Sequence, residues 1–168
     1  MIKDVLIQKA PVFTDTRGKF LEFGKQSELK VSFPQTNILP TKFMCGRGIH
    51  VSRFPQYKFV TVAQGKALQV LVDFRGYDRV VQTVLLEEGV QVLVPPFVGH
   101  GLIALDPVTI CLYQSSTEYA PKVEVSYSLK SACLLPFYEG FLRPTDLILS
   151  EKDSNTPEIP HGLIDWMV

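Results

Sequence analysis

Histidine is the side chain best suited to proton transfer near neutral pH, and this sequence contains only three: His50, His100 and His161. His50 ends the segment 45–50 (CGRGIH), where glycines permit a close backbone approach and Arg47 adds a positive charge. His100 also lies between glycines, at what the pattern predicts to be a loop-to-strand corner. A lone histidine in a β-rich chain is more often structural than catalytic, so neither residue assigns a chemistry by itself.

Histidines near strand ends could hold a metal, but the supporting ligands are missing. Such a site needs several converging nitrogen and oxygen ligands, as a His-x-His pair with a nearby Glu would supply. Here Val51 and Ser52 follow His50, and residues 53–58 contain no Glu. We therefore expect no metal.

The cysteines point to a reducing compartment. The chain has three cysteines, Cys45, Cys111 and Cys133. Because this number is odd and no CxxC spacing occurs, we expect reduced thiols without a catalytic role. The N-terminus lacks a leader pattern, and no apolar run is long enough to span a membrane. The sequence predicts a cytoplasmic protein that does not contact a membrane.

Composition and charge fit an ordinary globular protein. The chain has 168 residues, of which 46% are hydrophobic and 20% charged, and this excludes a disordered tail, a collagen-like fibre and a coiled coil. Lys and Arg number 17 and Asp and Glu number 17, so no net field attracts nucleic acid or an anionic membrane. A zero net charge does not exclude a locally basic pocket for one phosphorylated ligand. We expect one domain over residues 1–168.

The elements that must position these side chains are predicted to be short strands. The middle of the chain has β-branched segments separated by Gly, Pro and Asp turn signals, at 59–63, 67–74, 80–86, 90–94, 101–105 and 108–113. Short strands at this spacing predict an all-β antiparallel sandwich, jelly roll or barrel. Any helices should be short and lie mainly in the C-terminal part, residues 136–168.

Three further features are individually unremarkable. Tyr113 ends the 108–113 strand, Lys58 precedes the 59–63 strand, and 150–153 (SEKD) has the composition of a solvated loop. By themselves they predict a rim tyrosine, a surface lysine and an exposed turn.

Taken together and in order, the segments resemble the dTDP-4-dehydrorhamnose 3,5-epimerase family. The similarity covers nearly the whole chain and is carried by motifs that are weak singly but specific in sequence: 15–22 (DTRGKFLE, like D-x-R-G-x-F-x-E), 33–37 (FPQTN, like F-x-Q-x-N), 47–50 (RGIH, like R-G-L-H), Lys58, 64–65 with 72–75 (QG and VDFR, like V-D-L-R), 94–101 (like I-P-x-G-x-A-H-G), 112–121 (LYQSSTEYAP, like L-Y-x-x-T-x-x-Y-x-P) and 150–153 (SEKD, like S-x-K-D).

The resemblance implies a double-stranded β-helix, the cupin jelly roll, and a homodimer that exchanges N-terminal strands. It implies a nucleotide-linked 4-keto sugar as substrate, most simply a dTDP-4-keto-6-deoxyhexose, with no metal and no cofactor. The resemblance places the protein in deoxysugar biosynthesis. It does not decide whether the product enters a cell-wall polysaccharide or a glycosylated natural product.

The resemblance also assigns catalytic roles. His50 would remove the proton next to the ketone, Asp153 would orient its imidazole, and Tyr113 would be the acid on the opposite face of the ring. Lys58 would lie near the developing enolate oxygen. These types suit the chemistry, because epimerisation beside a ketone needs a base, an acid and a stabilising charge.

The binding residues implied by the family lie in other motifs. Arg47, Gln35 and Asn37 would bind the sugar diphosphate, and His100 would form the pocket wall or support the base. The remaining three, largely from the partner subunit, would reach the nucleotide: Arg17, Phe20 and Glu22.

The chain also departs from the family pattern, chiefly over residues 126–141, where an Asn-Asp-Pro and a Trp-Pro are expected. The sequence therefore leaves open the nucleotide base and the sugar configuration. It also leaves open whether C3, C5 or both are inverted. The alternatives are a 3,4-ketoisomerase of the same substrate class and a non-catalytic sugar-nucleotide-binding cupin.

Overall fold

The chain folds into two five-stranded antiparallel sheets whose inner faces pack on each other, with a separate two-stranded hairpin near the N-terminus. The computed structural model describes residues 1–162. The strands are β1 (Leu6–Lys9), β2 (Val12–Asp15), β3 (Gly18–Leu21), β4 (Gln35–Lys42), β5 (Gly46–Ser52), β6 (Lys58–Gln64), β7 (Ala67–Asp73), β8 (Val80–Leu86), β9 (Val90–Val94), β10 (Val98–Ala104), β11 (Val108–Ser115) and β12 (Glu124–Ser126).

The two sheets have interleaved strand orders, as a jelly roll requires. The first sheet has the order β1-β9-β6-β11-β4, and the second has the order β12-β5-β10-β7-β8. From β4 to β12, consecutive strands such as β10 and β11 alternate between the two sheets, except β7 and β8, which pair in the second sheet. This confirms the all-β jelly-roll prediction.

Strand β7 shows how the sequence encodes a doubly covered sheet. Its residues are almost all fully buried, so the expected alternation of polar and apolar side chains is absent. Ala67 and Leu71 face the core between the sheets, whereas Leu68, Val70 and Val72 face a second core on the outer side. C-terminal side chains such as Leu134 and Tyr138 cover that outer core.

The helices are short, as predicted. They are α1 (Gln26–Leu29), α2 (Glu151–Ser154) and two 3-10 segments at Ala132–Tyr138 and Pro144–Asp146. Helices of one turn cannot stabilise themselves, so these segments depend on side chains packed against the sheet. Tyr138 is fully buried, and its hydroxyl donates a 2.7 Å hydrogen bond to the carbonyl of Leu129.

One local prediction was wrong. His100 does not lie at a loop-to-strand corner but is the third residue of β10. Residues 95–96 (PP) end β9, and a tight turn with Phe97 at a φ of 63° starts the next strand immediately afterwards. His100 therefore points into the protein from within β10 and is 6% exposed.

Candidate functional site

The catalytic candidates converge through the pairing of neighbouring strands within each sheet. In the β5–β10 pair, His50 lies directly opposite His100. In the first sheet, Tyr113 of β11 pairs with Asn37 of β4 and Val60 of β6. The two sheets thus bring both histidines and the tyrosine to the same cavity.

His50 lies between two carboxylates. Its Nε2 is 3.5 Å from Oδ1 of Asp153, and its Nδ1 is 3.6 Å from Oε1 of Glu124. Nε2 is enclosed, so Asp153 faces the nitrogen that solvent cannot reach. Both carboxylates can stabilise the imidazolium that forms when the ring takes up a proton.

A short helix positions Asp153. The Ser150 hydroxyl accepts a 3.1 Å hydrogen bond from the Asp153 backbone N–H and caps α2. The segment is therefore not the solvated loop that its composition alone suggested, and Asp153 is 7% exposed. The adjoining His50 ring holds the pKa of the Asp153 carboxyl below its usual value, against the opposing effect of burial.

Lys58 is enclosed rather than on the surface, at 7% exposure. Burial lowers the pKa of its ammonium to about 8, although Glu124 counteracts part of this effect. The Lys58 Nζ lies 4.0 Å from Oε2 of Glu124 and 5.9 Å from the centroid of the Tyr113 ring. The site therefore holds a partly desolvated cation beside the tyrosine.

Tyr113 of the first sheet faces His100 of the second sheet across the cavity. Their ring centroids are 5.8 Å apart in an edge-on arrangement. Burial, with the nearby Glu124 carboxylate, raises the pKa of Tyr113, so its hydroxyl keeps its proton at neutral pH. Burial and the positive charges of Lys58 and His50 lower the pKa of His100 well below its usual value, so its ring is neutral.

The cavity between these residues is small, at about 150 Å³, and is lined by Leu39, Arg47, His50, His100, Leu102, Tyr113 and Asp153. Gln35 and Asn37 share the inward side of β4 with Leu39 and are linked by a 3.0 Å hydrogen bond from Nε2 of Gln35 to Oδ1 of Asn37. Ligand pockets usually measure roughly 300–1,000 Å³, so this one suits a ring-sized group rather than a whole nucleotide sugar.

The predicted nucleotide-contacting residues lie elsewhere in this single chain. Arg17 is exposed on the β2–β3 hairpin and pairs with Asp15. Phe20 on β3 is 62% exposed, and Glu22 just beyond it pairs with Lys25. None of the three predicted residues lines the cavity around His50.

Glu124 belongs to the site but is not among the residues predicted from the sequence. Its carboxylate approaches both His50 and Lys58 because β12 pairs with β5, placing Glu124 opposite Ser52. The sequence held only a weak signal for it, a lone acidic residue shortly after Pro121. The pairing of β12 with β5 is a long-range contact that no local pattern encodes.

A larger open groove of about 1130 Å³ lies between the β2–β3 hairpin and the turns of the first sheet. Its charged side chains are mostly paired, as in the 2.8 Å ion pair between Lys19 and Glu88. Within residues 1–162, its lining contains no histidine or tyrosine, and the small cavity is therefore the better catalytic candidate.

Within residues 1–162, no group of three or more His, Cys, Asp or Glu side chains is arranged to hold a metal ion. Over the same residues, no helix is long and apolar enough to cross a membrane.

The geometry supports proton transfer at a carbon next to a carbonyl. His50 can act as a base, Tyr113 can donate a proton, and Lys58 and Arg47 supply positive charge for an oxyanion. The arrangement has a base and an acid on different walls of one cavity, as inversion of a carbon centre requires.

Comparison with known proteins agrees with this chemistry. The family model described as dTDP-4-dehydrorhamnose 3,5-epimerase matches residues 1–161. The dTDP-4-dehydrorhamnose 3,5-epimerase of Mycolicibacterium smegmatis is 28% identical over 173 residues, which cover 87% of this chain and 77% of the relative.

Solved structures of such enzymes superpose on the fold. The dTDP-4-dehydrorhamnose 3,5-epimerase of Bacillus anthracis, with TDP and PPi bound, gives a TM-score of 0.81 at 28% identity and covers 93% of this chain and 94% of its own. A likeness of fold alone extends to the dTDP-6-deoxy-D-glucose-3,5-epimerase of Legionella pneumophila, with a TM-score of 0.82, 24% identity and coverage of 94% and 88%. The match along nearly the whole sequence establishes that the chain belongs to the dTDP-4-dehydrorhamnose 3,5-epimerase family, whose members are sugar-nucleotide isomerases.

Proposed function

We propose that the protein epimerises a nucleotide-linked 4-keto-6-deoxyhexose at C3, C5 or both, by removing and returning a proton through an enolate. The observation that carries this proposal is the placement of His50 between two carboxylates at a cavity that Tyr113 also lines. The family membership of the chain agrees with it.

In the first step, His50 takes the proton from the carbon next to the ketone. Asp153 faces the enclosed Nε2 and holds the N–H there, which leaves Nδ1 as the basic nitrogen. The C–H electron pair moves into the carbon skeleton and the carbonyl oxygen becomes an enolate oxygen. Glu124, 3.6 Å from Nδ1, and Asp153 stabilise the imidazolium that results.

The enolate needs positive charge, which Lys58 and Arg47 supply. Lys58 is buried, so its ammonium acts with little screening by solvent. Preorganised charges of this kind are usually the largest contribution to catalysis.

In the second step, Tyr113 gives its hydroxyl proton to the same carbon from the other face. A new C–H bond forms with inverted configuration, and the enolate returns to the ketone. A tyrosinate and the His50 imidazolium remain until solvent reprotonates Tyr113 and accepts the proton that His50 removed. The raised pKa of Tyr113 keeps the hydroxyl protonated before this step. No external oxidant, reductant or cofactor is required.

The rest of the substrate would extend out of the small cavity. The guanidinium of Arg47 suits a diphosphate, because its planar fork can bind two oxygens at once. Gln35 and Asn37, on the same inward side of β4, would add amide contacts. Thymidine is the favoured nucleotide, because the similar enzyme of Bacillus anthracis was solved with TDP bound.

We also propose a homodimer in which the β2–β3 hairpin of one chain reaches the site of its partner. The hairpin exposes Phe13 and Phe20 at 57% and 62%, and the outer face of the first sheet exposes Ile38 at 64%. Such exposed apolar surface is typical of an interface. Exchange would bring Arg17, Phe20 and Glu22 to the nucleotide, which explains why they lie away from the cavity of their own chain.

The remaining proposals follow the family. We place the enzyme in the cytoplasm and in deoxysugar biosynthesis, supplying a surface polysaccharide or a glycosylated natural product. We treat the chain as one domain, of which residues 163–168 lie outside the described part.

The catalytic proposal is tested by turnover of dTDP-4-keto-6-deoxyglucose with His50→Asn and with a matched control, His161→Asn, at an exposed histidine. We expect His50→Asn to abolish turnover and His161→Asn to leave it unchanged. Full turnover by His50→Asn would refute the role of His50. Binding of the sugar nucleotide without turnover by the wild type would support the non-catalytic alternative.

The dimer proposal is tested by sedimentation. Phe20→Glu should weaken the dimer and raise KM for the nucleotide sugar, whereas Phe54→Glu, at a phenylalanine that is also 62% exposed, should do neither. A wild type that sediments as a monomer at high concentration would contradict strand exchange.

A further inference from the structure

Two enclosed polar side chains lie near each other on the inner face of the second sheet without hydrogen-bond partners. Gln69 of β7 is 0% exposed, and within residues 1–162 neither its Oε1 nor its Nε2 has a partner. The same holds for Nδ1 of His100 on β10. Buried polar atoms are nearly always hydrogen-bonded, and exceptions commonly mark a bound water or a functional group.

The strand register makes the two side chains neighbours. In the β7–β10 pair, His100 lies opposite Leu71 and Leu102 lies opposite Gln69. Gln69 is therefore the diagonal neighbour of His100 on the inward face, at a backbone separation of about 7–8 Å that long side chains can bridge. Leu71 and Leu102, which complete this group of four, have no polar side-chain atoms.

One water molecule fits this arrangement. Buried waters typically join polar groups that would otherwise have no partner. A water held by the Gln69 amide would lie within reach of Nδ1 of His100. The imidazole ring of His100, which also carries Nε2, lines the cavity. The hydrogen bond at Nδ1 then decides which nitrogen carries the proton.

We propose that Gln69, through one buried water, holds Nδ1 of His100 as a hydrogen-bond acceptor, so that the neutral ring presents its Nε2–H to the oxygen of the substrate's developing enolate. This rests on the proposed function for the identity of the oxygen, but not for the tautomer itself. Gln69 is in this account a positioning residue, and His100 is the group that touches the substrate.

The chemistry of the site favours this tautomer over the other. A ring with its proton on Nδ1 would turn a lone pair towards the enolate oxygen and repel it, whereas Nε2–H stabilises it. A neutral imidazole suffices as an electrophile where charge is costly, and here Lys58 already supplies the cation. The Gln69 amide can donate its N–H to the water, whose own O–H then points at Nδ1. A carboxylate at position 69 could only accept from the water and would favour a proton on Nδ1.

The tautomer can be read directly by long-range 1H–15N correlation NMR of the full-length, 15N-labelled protein without substrate. His50→Asn and His161→Asn variants assign the other two rings. We expect His100 to show a protonated Nε2 and an unprotonated Nδ1. A protonated Nδ1, or an imidazolium, in the wild type would overturn the proposal without any variant being needed.

Variants at position 69 extend the test. Gln69→Met removes the polar atoms at similar length and should give mixed tautomers and a kcat lower by roughly 10²-fold, as for loss of an oxyanion donor, with KM little changed. Gln69→Glu should move the proton to Nδ1. The control is Gln82→Met, an inward glutamine of β8 whose Oε1 accepts from the Ile2 N–H and which should leave His100 unchanged.

The outcomes separate the two proposals. An unchanged His100 tautomer in folded Gln69→Met would refute the role of Gln69, even if the protein is an active epimerase. The expected tautomer in a protein that turns over no keto sugar would refute the proposed function and leave the Gln69–His100 linkage standing.

Discussion

Removing the buried charge of Lys58 should stabilise the protein while impairing its activity. Lys58→Met keeps the length of the side chain but replaces the ammonium with an apolar group. Burial lowers the pKa of Lys58 from 10.5 to about 8. At about 1.4 kcal/mol for each pKa unit, this shift corresponds to roughly 3 kcal/mol of cost for holding the charge in the folded protein. We expect Lys58→Met to raise the free energy of unfolding at pH 7 by up to that amount.

The pH dependence identifies the cause. Between pH 8 and 10.5 the unfolded chain keeps the Lys58 proton while the folded chain loses it, so wild-type stability should gain from this group as pH rises. The gain in free energy of unfolding of Lys58→Met over the wild type should therefore be largest at pH 7 and shrink towards zero near pH 10.5. Cys111, whose pKa burial raises to about 11, acts in the opposite direction in both proteins and cancels in the difference.

The assay is urea unfolding at pH 7 and pH 10 for wild type, Lys58→Met and the control Lys66→Met, at an exposed lysine. Turnover measured on the same samples should fall sharply for Lys58→Met only, because the enolate loses its nearest buried cation. A Lys58→Met protein less stable than wild type at pH 7 would refute the reasoning. A stability difference that is the same at both pH values would do so as well.

Three further outcomes follow from the structure. Asp153→Asn should lower kcat by about 10²-fold or more. It should also remove a contribution to stability that is present above the unfolded carboxyl pKa of 3.8 and is lost as the pH falls further. Acid unfolding of both proteins measures this loss. Tyr138→Phe should cost about 1–3 kcal/mol in urea unfolding, since it leaves a buried carbonyl without its 2.7 Å hydrogen bond. Gly65→Ala should lower the thermal midpoint, because a Cβ there would clash with the backbone carbonyl of Val108 at a φ of +75°.

The central strands could be predicted from the sequence because their signals are local. β6 through β11 consist of β-branched runs ended by turn residues, and the glycine turn signal between the first two runs is Gly65, which lies between β6 and β7. The first five strands and β12 were not predicted individually. β4 alternates between half-buried and exposed positions but includes Pro40, which weakens a strand pattern.

The site was predictable in its members but not in its environment. The family resemblance selected His50, Tyr113, Asp153 and Lys58, and the structure brings all of them together. Burial of Lys58 and the approach of Glu124 depend on long-range strand pairing, which a local pattern cannot encode. Gln69 could not be selected from the sequence either. It stands out only because, within residues 1–162, its buried side chain has no hydrogen-bond partner.

The central claim is proton exchange at carbon by His50, and deuterium incorporation tests it most directly. The protein is incubated with dTDP-4-keto-6-deoxyglucose in deuterated buffer, and C3 and C5 are followed by NMR. We predict deuterium at C3, C5 or both with wild type and with His161→Asn, and at neither carbon with His50→Asn. A wild-type protein that binds this sugar nucleotide but leaves both carbons unexchanged would contradict the account.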